Sequence, residues 1–299
     1  MTRRGFSVIE LVIVMVIGGV VAAAIGGVLR RQQRFFTNAS SLVEQRVSLR
    51  DATGILPGEI RALSPADGDV LAFSDSALEI RATIGAAIAC DTVAGGGAIN
   101  LAPGRTGERM LTAFATAPQP GDIALMYDTA MPNDTGTSAW AALEVLSASP
   151  RLDVCATSRL LDPVGDASAT RLQLRFVTGS RVPPTIRPGA FVRVLRRVRY
   201  RFYRATTAQW FLGYSEWDGT AFGAVQPVSG PYAPYSRGGG SGLRLRYFGR
   251  AGAEVLSPAD AARIARVEVV VRGVPGAGLS GASRAYTDAE TVAVSVRNR

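Results

Sequence analysis

Arg3-Arg4-Gly5-Phe6-Ser7-Val8-Ile9-Glu10-Leu11 opens the stretch on which the reading of this chain turns. From Phe6 to Leu29 a run of 24 residues holds one ionisable group, Glu10. As an α-helix rising about 1.5 Å per residue it spans roughly 36 Å, enough for a hydrocarbon core of about 30 Å. Arg3 and Arg4 precede the run, and Arg30, Arg31 and Arg34 follow it. A cleaved secretory signal has a shorter apolar region, about 7–15 residues, and no acid near its start. A plain membrane anchor has no use for Glu10 either, because a carboxylate in the bilayer costs on the order of 3 kcal/mol and needs a partner. No basic residue lies within the run. Cutting the chain between Gly5 and Phe6 would create an α-amino group four residues before Glu10.

The same residues resemble the class III signal of type IV pilins and type II secretion pseudopilins. That pattern is a short basic leader ending in Gly, then Phe, an apolar triplet that admits Ser, Glu and Leu. Gly5, Phe6, Ser7-Val8-Ile9, Glu10 and Leu11 match it position by position. The resemblance implies cleavage after Gly5 by a prepilin peptidase and N-methylation of Phe6. It implies that Glu10 pairs with the N-terminal amine of a neighbouring subunit as a filament assembles. The implied partners are the peptidase, other pilin or pseudopilin subunits, the inner-membrane assembly machinery and membrane lipid. The leader arginines favour a cytoplasmic N-terminus, with the body periplasmic or exposed on a filament. Arg30 and Arg31 oppose that bias, so recognition of the leader must set the orientation.

Working outward, Gly18, Ala22 and Gly26 recur every four residues, as do Gly19, Ala23 and Gly27. Such stripes of small residues permit close helix packing in a membrane, and glycine is also simply tolerated there. Beyond Leu29, Val28, Phe35, Leu42 and Leu49 recur every seven residues, with Leu29, Phe36 and Val43 beside them. This predicts an amphipathic continuation whose apolar stripe docks on the body. Gly54 and Pro57 predict its end or a kink. The expected divisions are a leader at 1–5, a transmembrane helix at 6–29, an amphipathic extension at 30–56 and an external β-rich domain at 57–299.

In the body, alternating segments are separated by turn residues. They include Leu78 to Ile84, Gly121 to Tyr127, Trp140 to Leu146, Arg171 to Val177, Leu243 to Phe248, Ile264 to Arg272 and Thr291 to Arg297. Period-two patterning predicts antiparallel strands with one face on a core. The fold class is therefore α+β, a long N-terminal membrane-spanning helix docked on an antiparallel β-sheet body, as in pilins. The clearest strand is Phe191 to Arg204, with Trp210 to Tyr214 as its hairpin partner. Its even positions are mostly apolar, and Arg193, Arg197, Arg199 and Arg201 form a stripe on the odd face. A stripe of this kind is either a solvated sheet face or a weak contact for nucleic-acid phosphates. The Arg- and Tyr-rich strand, the closing strand Thr291 to Arg299 and the size of the body resemble large minor pilins of the W kind and J-type minor pseudopilins. In such families the large minor subunit sits at the filament tip and starts assembly.

Composition closes other routes. The chain has 299 residues, 33 basic against 24 acidic, a net charge of +9 and no His. Every basic residue is Arg. Without His or Lys there is no His-assisted nucleophile, no imidazole metal ligand, no Schiff base and no Walker-type phosphate loop. Asp67, Asp69 and Asp75 lack the remainder of a calcium-loop pattern. No metal site, cofactor or enzymatic activity is expected. Cys90 and Cys155 would face an oxidising compartment, and are either bridged or two separate buried thiols.

Overall fold

The computed structural model describes residues 8–128, 140–155, 158–162, 164–237, 239–274 and 289–296, without the side chains of Asn38, Ser41, Leu42, Glu44 and Gln45. One helix, α1 (Val8–Ala62), precedes fifteen strands. These are β1 (Val70–Phe73), β2 (Ala77–Thr92), β3 (Ala98–Leu101), β4 (Arg105–Thr106), β5 (Arg109–Met110), β6 (Thr112–Phe114), β7 (Ile123–Tyr127) and β8 (Trp140–Arg151). There follow β9 (Arg171–Phe176), β10 (Phe191–Arg204), β11 (Trp210–Glu216), β12 (Gln226–Tyr232), β13 (Leu243–Phe248), β14 (Arg266–Arg272) and β15 (Ala289–Ser295). The arrangement is α+β, with an antiparallel body.

Two long strands organise that body. β2 and β10 pair along almost their whole length, from Phe191 opposite Ile88 to Arg201 opposite Ala77. Beyond one end of this ribbon, β2 continues to β3, and the order runs on through β9, β8 and β7 back to β10. Each pairing is antiparallel, so six strands close on themselves as a barrel and leave no free edge there. Its interior is apolar and includes Ile99, Leu101, Ala124, Met126, Val145, Leu174, Val192 and Val194. At the other end the same two strands acquire β1 beside β2, and β11 beside β10 with β12 beyond it. That open sheet shares a second core with α1 and with the separate sheet β13-β14-β15.

β2 must turn its side chains into both cores. Leu78, Ile80 and Ala82 enter the helix-side core, Ile84 begins the barrel core, and Ala87 and Ala89 continue it. The parity therefore changes between 84 and 87, where the register against β10 shifts. A bulge supplies the extra residue. Gly85 makes the crossing possible, because a Cβ there would collide with Ala113 O and the Phe114 ring of β6.

The helix departs from the sequence expectation twice. It passes through Gly54 and Pro57 and ends at Ala62, so the amphipathic part extends beyond 56. Proline removes one helical donor. Burial compensates: Leu49, Ala52, Leu56 and Ile60 recur on one face in the helix-side core, Leu63 joins them just past the helix end, and Leu56 and Ile60 are fully buried. Burying an aliphatic side chain of that size contributes about 1.5–3 kcal/mol, so several together outweigh one missing hydrogen bond of about 1 kcal/mol. The second departure concerns the seven-residue stripe. Leu49 docks, but Val28, Leu29, Phe35, Phe36 and Val43 do not; Phe35 and Phe36 are 64% and 69% exposed. The side chain of Leu42 lies outside the described residues. Among the described side chains docking begins at Ser48, whose hydroxyl donates to Gly230 O at 2.8 Å while its carbonyl accepts from the Tyr232 hydroxyl at 2.7 Å.

Candidate functional site

Two regions follow from the residues singled out in the sequence. The first is the N-terminal helix. Val8–Thr37 is long and apolar enough to cross a membrane, and none of it is buried against the body. Glu10 lies in its first turn and is exposed. The helix therefore projects its apolar surface, with this carboxylate near its start, away from the β-body. Gly5 and Phe6 lie outside the described residues.

The second is the arginine stripe on β10. The alternation holds: Val192, Val194, Val198, Tyr200 and Phe202 are buried, and Arg193, Arg197, Arg199 and Arg201 lie on the opposite face. Arg197 and Arg199 are not free cations. Both pair with Glu79 of β2, at 2.5 Å and 2.7 Å. Their guanidinium carbons also lie over rings, Arg197 4.4 Å from the Trp217 centroid and Arg199 3.8 Å from that of Phe222. Arg193 donates to Thr83 Oγ1 at 2.7 Å. Arg201 is exposed, 5.9 Å from the Tyr203 ring centre. The stripe is thus split: Arg197 and Arg199 share the single charge of buried Glu79, whereas Arg193 and Arg201 form no ion pair among the described residues. Glu79 was legible only as a polar member of an alternating strand; the register that sets Arg199 opposite it was not.

Sequence reasoning also passed over Arg196. It lies on the inner face between Val194 of the barrel core and Val198 of the helix-side core, and is buried. Its Nε and Nη2 each donate to Asp122 at 2.9 Å, and Nη1 donates to Glu216 Oε2 at 2.9 Å and Thr116 Oγ1 at 3.2 Å. Burial alone would lower its pKa, but the hydrogen bonds and charges of Asp122 and Glu216 outweigh this and raise it. The one inward-facing charge in an alternating apolar strand was the available signal.

Cys90 and Cys155 are joined as a disulfide with Cα atoms 5.5 Å apart. The pair packs with Ala102 and Leu161 in a small satellite core. Asp67 and Asp69 meet at Ser64, and Asp75 lies apart from them. Asp69 accepts from Ser64 N, Asp67 accepts from Ser64 Oγ, and Asp75 accepts from the Tyr235 hydroxyl.

Residues 1–26 match the prokaryotic N-terminal methylation motif. No curated protein and no solved structure matches the chain. The motif coincides with the start of the one membrane-length helix among the described residues.

Proposed function

We propose that this chain, which carries the N-terminal methylation motif of type IV pilin-like prepilin-peptidase substrates over residues 1–26, is a minor pilin or minor pseudopilin. The peptidase cleaves after Gly5 and methylates the new N-terminus at Phe6. The mature helix stays in the inner membrane until assembly, with its N-terminus cytoplasmic and the β-body on the outer side. Glu10 then neutralises the N-terminal amine of an adjacent subunit, removing two charges from lipid in one contact. The role is structural and non-enzymatic.

The observation that carries this reading is the coincidence of the motif with a helix that is apolar and undocked as far as Thr37. An apolar surface of that length, not covered by its own body, requires lipid or other subunits. The size and two-core build of the body favour a minor subunit, of the W kind or the J type, placed at a filament tip. Mass analysis of the mature N-terminus tests the processing step, and methyl-Phe6 is the expected result. An unprocessed Met1 in cells with an active peptidase would overturn it. Deleting the gene and scoring piliation against protein secretion separates the pilus role from the secretion role.

A further inference from the structure

Just beyond the apolar run of α1 lie Arg30, Arg31 and Arg34, all exposed. None of the three side chains forms an ion pair or a hydrogen bond with a described residue, whereas Arg196, Arg197 and Arg199 of the body each hold carboxylates. No residue from 11 to 43 is acidic. The next acid along the helix, Glu44, is about 15 Å beyond Arg34 at 1.5 Å per residue. At about 100° per residue the three arginines fall within one arc of about 100°. Arg30 and Arg34, four residues apart, are a like-charged pair that weakens a helix. An anion shared between them reverses that sign.

Height along the helix sets the chemistry. With Phe6 at one edge of a hydrocarbon layer about 30 Å thick, the far edge falls near residue 26. Arg30 then stands about 36 Å from Phe6, at the level of the headgroups of a bilayer about 40–45 Å thick in all. Arg34 is one turn further, and side chains on a helix lean back toward its N-terminus, here toward the lipid. Phe35 and Phe36 lean the same way. Their rings are exposed and meet each other edge-on, with centres 6.1 Å apart. Apolar surface is thus set beside the three guanidiniums.

We propose that Arg30, Arg31 and Arg34 bind the phosphate of an anionic phospholipid, with Phe35 and Phe36 against its glycerol and upper acyl chain. Guanidinium donor forks match phosphate oxygens. Every charge in the cluster is positive, so a headgroup of net negative charge fits. A zwitterionic one brings its own ammonium group against three cations and is disfavoured. Basic residues ordinarily stay on the cytoplasmic side of a span. Three at the opposite end work against the proposed orientation, and a lipid that neutralises them removes the penalty. The choice of the outer leaflet rests on that orientation. The contact itself does not depend on cleavage after Gly5 or on methylation of Phe6.

The test is native mass spectrometry of the full chain, released from detergent micelles after titration with phosphatidylglycerol or with phosphatidylcholine. Phosphatidylglycerol should bind about tenfold or more tightly, since each arginine at an anionic lipid surface is worth about fivefold in affinity. Arg30→Gln, Arg31→Gln and Arg34→Gln together should abolish that preference. Arg181→Gln, Arg187→Gln and Arg250→Gln together remove the same charge from exposed positions of the body and should leave it intact. Excess inorganic phosphate should not displace the lipid, which its acyl chains also hold. Equal binding of the two lipids would overturn the proposal and point to acidic side chains of a neighbouring subunit as the counter-ions. A preference that survives in the helix variant, vanishes in the body variant or yields to inorganic phosphate would overturn it too. Flotation with vesicles of each lipid scores membrane insertion separately. A chain that floats with neither overturns the membrane reading as well, whereas one that floats with both and shows no preference overturns the headgroup site alone.

Discussion

Glu10 and Arg196 are charges in opposite surroundings, one exposed on an undocked helix and one buried between the cores. Arg196 has its counter-ions built in, at 2.9 Å on both Asp122 and Glu216. Glu10 has none among the described residues of its own chain, and in the proposed assembly its partner is an amine of another subunit. The consequences of removing each differ accordingly. Glu10→Val should leave cleavage after Gly5 intact while filament incorporation falls; immunoblots of sheared filaments against whole cells read both. Normal incorporation would remove the ion pair as an assembly determinant. Asp122→Asn, which leaves Arg196 buried with a weaker partner, should destabilise the body by about 3–5 kcal/mol, the scale for breaking a buried pair. A denaturant midpoint unchanged from the parent would contradict this.

Glu59, half-buried beside the sheet, is a third case. Burial raises its pKa above the ordinary value. A carboxyl whose folded pKa is raised binds protons more readily folded than unfolded, so stability falls as pH rises from the unfolded value through the folded one. Glu59→Gln should therefore stabilise the body near neutral pH and lose that advantage in acid, where the parent carboxyl is protonated. Melting curves at pH 4 and pH 7 decide it, and an equal difference at both would refute the assignment.

At the scale of elements, alternation was the most legible property and length the least. β10 could be read residue by residue, because a half-buried strand writes its two faces into its sequence. The bulge in β2 could not, since Gly85 acquires its meaning only from Ala113 and Phe114. The helix shows the converse error. A seven-residue recurrence of Phe and Leu looks the same whether it faces a sheet, lipid or a neighbouring subunit, and only the fold shows Phe35 and Phe36 exposed and Leu49 docked. Local propensity likewise offered Pro57 as an end or a kink, and the packing of Leu56 and Ile60 carries the helix past it to Ala62. Paired variants separate the two portions. Leu56→Ala should cost about 2–5 kcal/mol, whereas Phe35→Ser should leave the body's stability within about 0.5 kcal/mol, as for an exposed position. Equal losses would mean the stripe docks along its whole length. The disulfide belongs here too. Cys90 and Cys155 are 65 residues apart, and closing a loop of that size is worth on the order of 4 kcal/mol in the chain-entropy model. Paired Cys→Ser substitution should lower stability by that order, and a loss under about 1 kcal/mol would show that the bridge contributes little.

Across the whole molecule, barrel closure was the feature no segment of sequence could announce. It depends on which strands meet: β3 is joined to β10 through β2 on one side and through β9, β8 and β7 on the other. The two cores share β2 and β10, so neither can lose its strands while the other keeps them. Unfolding followed at Trp140, beside the barrel, should coincide with unfolding followed at Trp210, beside the helix-side core. Separate midpoints for single-tryptophan variants carrying each probe would show the cores to be independent.

Those two strands also define how the molecule carries force. A pull on the N-terminal helix reaches the body where residues 48–63 lie wedged between sheets, and there it must slide many side chains past their neighbours at once. From that seat the backbones of β2 and β10 run unbroken into the barrel, with their mutual hydrogen bonds acting as rivets along the way. The protein is built like a tang set in a handle: whatever the barrel grips, the tension between it and the helix passes through two continuous peptide cables.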